Sequence, residues 1–399
     1  MAIPIKLRKS FFIAISTILL LSGIAFPLLA LHSQPARAHE RERDVFEQTN
    51  LVSDIPGVAR FTDPNLVNAW GLSHSPDGPW FVSDNGTGLA TAYRGNGKAA
   101  PFVITIPLPP GSTSQHSAPT GNVFNNSNGF VITEGNRARP SQFIFATEDG
   151  TISGWNPNVD LSNAILEVDR STVKLGVPGA VYKGLAIGRS GHSNFIYAAN
   201  FRFGTVEMFD EHFQLVNSFT DQQLSSNCPL PNQCFAPFGI QNIKGKIYVS
   251  FALQDADKSD DVAGPGNGFV DVFDTDGNLL QRLILQGQLN APWGLTLAPN
   301  NFGQFSNALL VGNFGDGHIN AFNPRTGVFL GQLLNRRGNP IVIDGLWGLG
   351  FGNGALAGER DTLFFAAGIG DEEHGLFGSI EREKHDNQMH EDQKHDHRK

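Results

Sequence analysis

The chain has 399 residues, a formal net charge of −9 at pH 7, and 17% charged against 40% hydrophobic residues. That length allows two domains, but an unbroken internal repeat argues for one large one. The acidic balance, with no basic stripe, excludes nucleic acid as an expected partner.

In chain order, residues 1–38 read as a secretory signal: Lys6, Arg8 and Lys9 precede an apolar run from Phe11 to Leu31, and Ala36-Arg37-Ala38 is an A-x-A cleavage site. The segment carries four basic residues and no acidic one, so cleavage takes the formal charge to −13. The expected compartment is the periplasm or the extracellular space, with no stable membrane span after cleavage; an uncleaved anchor is the alternative. Residues 39–45 are a linker, and Phe46 to Asp54 (FEQTNLVSD) has strand character.

From there a unit repeats six times. An inner strand opens at Gly71, Gly121, Gly184, Gly239, Gly294 and Gly348, at successive spacings of 50, 63, 55, 55 and 54 residues. A second strand follows each opening (PWFVSDN, NGFVITEG, FIYAANF, KIYVSFA, ALLVGNF, TLFFAAG), then a third, with Gly/Asn/Asp turns between them. Five units show a fourth, outer strand, and the sixth has none before the charged tail begins. The expected fold is therefore all-β: a six-bladed β-propeller over residues 46–381, its last blade closed by the N-terminal strand. Residues 382–399 form a charged tail with His385, His390, His395 and His397, expected to be disordered.

Cys228 and Cys234 share one loop (CPLPNQC) and read as a local disulfide in an oxidising compartment. Blade four carries a long insertion, Leu253 to Gly268, in which Asp255, Asp257, Ser259, Asp260 and Asp261 offer hard oxygen ligands to Ca²⁺ or stand as a solvated acidic loop.

In a propeller the opening loops and the turns between strands two and three share a face. The residues before the repeated glycines are Trp70, Thr120, Lys183, Phe238, Trp293 and Trp347. They either wedge between blades or line an aromatic mouth for a sugar ring or an apolar ligand. With Asn68, Asn290 and Asp344 from the opening loops, the channel-mouth set is Trp70, Lys183, Phe238, Trp293, Trp347 and these three. The turns add Glu134, Asn200, Asp255, Asp257 and Asn313 as metal candidates, with Asp84, Asn85, Asp316 and residues 371–374 beside them. Asp, Asn and Gly are also ordinary hairpin residues, so both readings stand. There is no P-loop, HExxH or G-x-S-x-G motif.

The segments APFGI, APWGL, GLWGL, ALLVGNFGDGHINAFNP and GPGNGFVDVFDTDGNLL resemble one uncharacterised family of exported bacterial β-propeller proteins. Some of its members carry a PEP-type C-terminal sorting signal. The resemblance covers Asn50 to Ile380, and this C-terminus lacks the Pro-Glu-Pro motif, apolar helix and basic end. More distantly the blades are similar to NHL repeats and to the gluconolactonase group. That second likeness implies a hydrolase or lactonase with a divalent ion, Ca²⁺ or another, on the axis. The reading placed first is a monomeric, non-catalytic binding scaffold for a glycan, peptide or protein partner, with the metal-dependent hydrolase as its alternative.

Overall fold

In the computed structural model the described residues are 44–174, 177–226, 228 and 233–383; the predicted signal and almost all of the predicted tail lie outside them. Five four-stranded antiparallel sheets and one five-stranded sheet surround an axis. From the axis outward, blade one is Ala69–His74, Trp80–Asp84, Leu89–Tyr93 and Ala99–Thr105. Blade three is Tyr182–Ser190, Ser193–Asn200, Thr205–Phe209 and Leu215–Phe219, and blade four is Phe235–Ile243, Lys246–Leu253, Phe269–Phe273 and Leu279–Leu285. Blade five is Pro292–Leu297, Leu309–Asn313, Ile319–Phe322 and Phe329–Gln332. Blade six takes Leu346–Phe351, Leu363–Ile369 and His374–Arg382, its fourth strand is Phe46–Ser53 from the N-terminal side, and the short strand Phe61–Thr62 pairs parallel outside that. The fourth strand pairs antiparallel from Phe46 opposite Arg382 to Ser53 opposite Leu376, closing the ring and covering the edge of His374–Arg382.

Blade two corrects one expectation. Its second strand is Phe143–Thr147, between Pro119–Phe124 and Thr151–Trp155, with Ile165–Asp169 outermost. The NGFVITEG segment instead forms a separate hairpin, Val131–Glu134 with Arg137–Pro140. It resembled a blade strand because Phe130 and Ile132 are buried in the core of this blade. Glu134 and its neighbours Val131 and Thr133 face solvent. The inserted hairpin also explains the long spacing between Gly121 and Gly184.

The repeated glycines have a common cause. A Cβ on Gly184 would stand 2.8 Å from the Phe238 carbonyl oxygen, and on Gly294 and Gly348 it would stand 2.6 Å from those of Trp347 and Trp70. At Gly71, Gly121 and Gly239 the obstacle is likewise the next blade's inner backbone, at Thr120, Leu185 and Trp293. Six inner strands thus pack backbone to backbone around the axis, and only glycine leaves room there.

Candidate binding site on the propeller axis

In every blade the register between the inner and second strands shifts around the residue before the glycine: between Ala69 and Leu72, Tyr182 and Gly184, Pro237 and Ile240, Pro292 and Gly294, and Leu346 and Leu349, with the partner-strand shift at Phe145/Thr147 in blade two. A bulge re-aims a side chain. Here it directs Trp70, Phe238, Trp293 and Trp347 toward one another, and they share one buried cluster with Phe201 and Phe314. Trp347 stacks with Trp70 at 3.5 Å between ring centroids and with Phe314 at 4.0 Å. Trp293 meets Trp70 and Trp347 edge-on at 6.2 and 5.8 Å. The four predicted aromatics are between 0% and 8% exposed. They form a plug across the axis, and blade two contributes Thr120, whose hydroxyl donates to the Tyr182 carbonyl at 2.8 Å.

Lys183 sits on this plug. Its ammonium bonds to Glu148 and, at 2.6 Å, to Asp260, and lies 5.1 Å from the centroid of the Trp70 ring and 5.9 Å from that of Phe201. The Trp293 indole donates to the Lys183 carbonyl at 3.2 Å. Burial alone would lower the Lys183 pKa, but the carboxylates of Glu148 and Asp260 outweigh it and raise the value. Two further carboxyls are held close by. Burial pushes Asp261 up to about 7 against the pull of Lys183, with Asp260 adding to the rise. Burial and the Glu148 charge raise Glu372. Asp261 Oδ2 and Glu372 Oε1 are buried without a hydrogen-bond partner.

The other predicted residues are turn-builders. Asn68 accepts from the Trp70 indole at 3.0 Å and donates to Asn85 at 3.3 Å. Asn290 accepts from the Gly264 amide at 2.6 Å, and the exposed Asp344 accepts from the Gly370 amide at 2.8 Å. Asn200 donates to Glu207 at 3.1 Å, and Asn313 to the Gln288 carbonyl at 2.8 Å. Asp255 caps its own loop by accepting from the Ser259 amide at 2.8 Å, and Asp257 is exposed at the tip. Glu134, Asn200, Asp255, Asp257 and Asn313 are not brought together, and among the described residues no group of three or more His, Cys, Asp or Glu is placed to hold a metal ion. The residue that sequence reasoning missed is Glu148. It occupies the strand two–three turn of blade two assigned to Glu134, and the signal was present in TEDGTISGW, where Glu148 directly follows the second strand and opens the turn into the third.

On the far side of the glycines the axis is open. A well of about 330 Å³ is floored by Trp293 and by Gly71, Gly121, Gly294 and Gly348. Its wall is Leu72, Asn122, Leu185, Ile240, Leu295 and Leu349, the residues one past each glycine. Five of these six are aliphatic, and Ser73, His74, Gln241 and Asn242 add polar groups, so the lining is mixed. Phe124, Ile187 and Asn242 border both this well and a groove of about 1080 Å³ that runs over blades two and three. The groove presents Arg189, His192, Glu211 and His212.

Cys228 and Cys234 form a disulfide with 5.1 Å between their Cα atoms. This is consistent with an oxidising compartment. Among the described residues no helix is long and apolar enough to cross a membrane.

No family model matches the chain. An uncharacterized protein of Acanthamoeba polyphaga mimivirus is 31% identical over 332 residues, covering 83% of this chain and 78% of the relative. A second from the same virus is 30% identical over 335 residues, covering 84% and 85%. These relatives are viral and lend no support to a bacterial exported family. Among solved structures, the soluble aldose sugar dehydrogenase from Escherichia coli matches with a TM-score of 0.51 at 11% identity, over 85% of this chain and 100% of that one. A streptogramin B lyase matches with a TM-score of 0.49 at 13% identity, over 85% and 98%. Identities this low speak to the fold alone, a six-bladed propeller. The chain belongs to the propeller family of the two mimivirus proteins.

Proposed function

We propose that the protein is a binding scaffold that takes the apolar side chain of a peptide or protein segment into the axial well. The carrying observation is that the axis is plugged at one end and, at the other, opens as a well with aliphatic side chains from five blades beside a few polar groups, joined to a polar groove. Small-ligand and anchor sites are concave and mostly apolar with a few convergent polar groups. An aliphatic wall suits a leucine- or phenylalanine-sized anchor. The neighbouring Arg189, His192 and Glu211 suit the main chain and charged residues on either side of it. A glycan is less well served, because Phe124 is the one aromatic side chain bordering both well and groove, and Trp293 on the floor is only 8% exposed. The metal-dependent hydrolase alternative lacks an assembled donor set among the described residues.

A synthetic peptide library panned against the full chain tests this reading. Enriched sequences should share one apolar anchor, and Gln241→Trp, at the half-buried well wall, should weaken their binding at least tenfold while the fold is kept. Enrichment without an anchor, or undiminished binding to Gln241→Trp, contradicts the proposal.

A further inference from the structure

The plugged end of the axis holds a charge arrangement that the binding reading does not use. All six blades converge on Lys183: Trp70 of blade one lies under its ammonium, Glu148 of blade two and Asp260 of blade four accept from it, and Phe201 of its own blade flanks it. Trp293 of blade five bonds its carbonyl, and Glu372 of blade six is within electrostatic reach. The likeness to axial-metal propellers implies a divalent ion in this neighbourhood, but the donors do not fit one. The carboxylates are directed at an ammonium that is itself 0% exposed, and no metal-holding group assembles among the described residues.

We propose that Lys183 is a built-in cation whose ion pair with Asp260 latches the blade-four insertion over the plug. The insertion, residues 253–268, is fastened at points that converge on the same end. Gln254 donates to the Phe201 carbonyl at 2.6 Å, Arg202 to the Ser259 hydroxyl at 2.5 Å, and the Gly264 amide to Asn290 at 2.6 Å. Asp260 supplies the charged contact, from a side chain that is otherwise 70% exposed. A side chain that exposed is held over the axis by its partner rather than by packing. Glu148 and Asp260 share the one ammonium, and Asp261 and Glu372 lie within its electrostatic reach.

Two measurements on the full chain test the inference. Lys183→Met should melt at least 5 °C lower than wild type and be cut by trypsin at Lys258 faster than wild type. A Lys183→Met protein with wild-type melting and a wild-type rate of cutting would overturn the proposal. The second variant, Asp260→Asn, keeps Lys183 and the plug, so its folding is not at risk. Trypsin should cut it at Lys258, on the exposed tip of the insertion, at least threefold faster than wild type. An unchanged rate would show that the insertion is not latched through this pair.

Discussion

Asp271 shows how a single buried carboxyl ties stability to pH. It lies on the third strand of blade four, 0% exposed, with both oxygens lacking a hydrogen-bond partner and the Arg282 guanidinium nitrogen 3.8 Å away. Burial and the neighbouring Asp221 push it up to about 8, more than Arg282 pulls it down. A free aspartate titrates near about 3.9, so between these values the folded chain holds a proton that the unfolded chain has released. The sign follows: this residue's contribution falls as pH rises from about 4 toward about 8. Asp271→Asn should therefore flatten the profile, reducing the stability lost between pH 5.5 and pH 8.5 by about 1 kcal/mol or more. Urea unfolding at the two pH values checks this, and parallel losses in variant and wild type would contradict it. Gly239 is the residue-scale test of the axial ring. A Cβ there would collide with the Trp293 carbonyl and press on the Ser250 hydroxyl. Gly239→Ala should cost about 3 kcal/mol or more, at the upper end of overpacking penalties. A variant with a wild-type urea midpoint would remove the packing explanation of the repeat.

At the scale of elements, the strands were legible because their apolar runs, turn chemistry and spacing agreed at five of six blades. Blade two failed for a physical reason. Its inserted hairpin buries Phe130 and Ile132 in the blade's core and so reproduces the alternation of a true second strand. The roles of the residues around the repeated glycine were only half legible. The pattern of Trp70, Phe238, Trp293 and Trp347 showed that they converge, but the bulges that turn them into mutual contact are a backbone property that composition does not carry. Lys183 looked like the odd member of the aromatic ring, and its partners Glu148 and Asp260, 35 residues before it and 77 after it, could be joined to it only by the fold. The disulfide is a local element with a local consequence. It closes a loop with a sequence separation of 6, so Cys228→Ser with Cys234→Ser should cost at most about 2–3 kcal/mol and leave the blades intact. A failure of the double variant to fold would assign the loop a larger part in assembly.

For the molecule as a whole, the ring is closed by pairing Phe46–Ser53 with His374–Arg382, and every blade contributes a strand and a bulge to the axis. This architecture makes the two ends of the axis unlike. One end is filled by stacked aromatics and sealed by the Lys183 contacts, and the other is a well of aliphatic and polar side chains that opens into a groove. The sequence pointed to the first end, because its aromatic and acidic residues stand out. The well was invisible because its wall is built from ordinary leucines and isoleucine that read as core. They are core on one side, packed between blades, and lining on the other.

The measurement that bears most directly on this account is photo-crosslinking with the tightest peptide from the library, carrying a photoreactive group in place of its apolar anchor. Mass spectrometry of the product should place the adduct on Leu185, Ile187, Ile240 or Asn242, inside the well or at its rim. Adducts on residues 253–268, over the plugged end, would contradict the account and move the ligand to the opposite face.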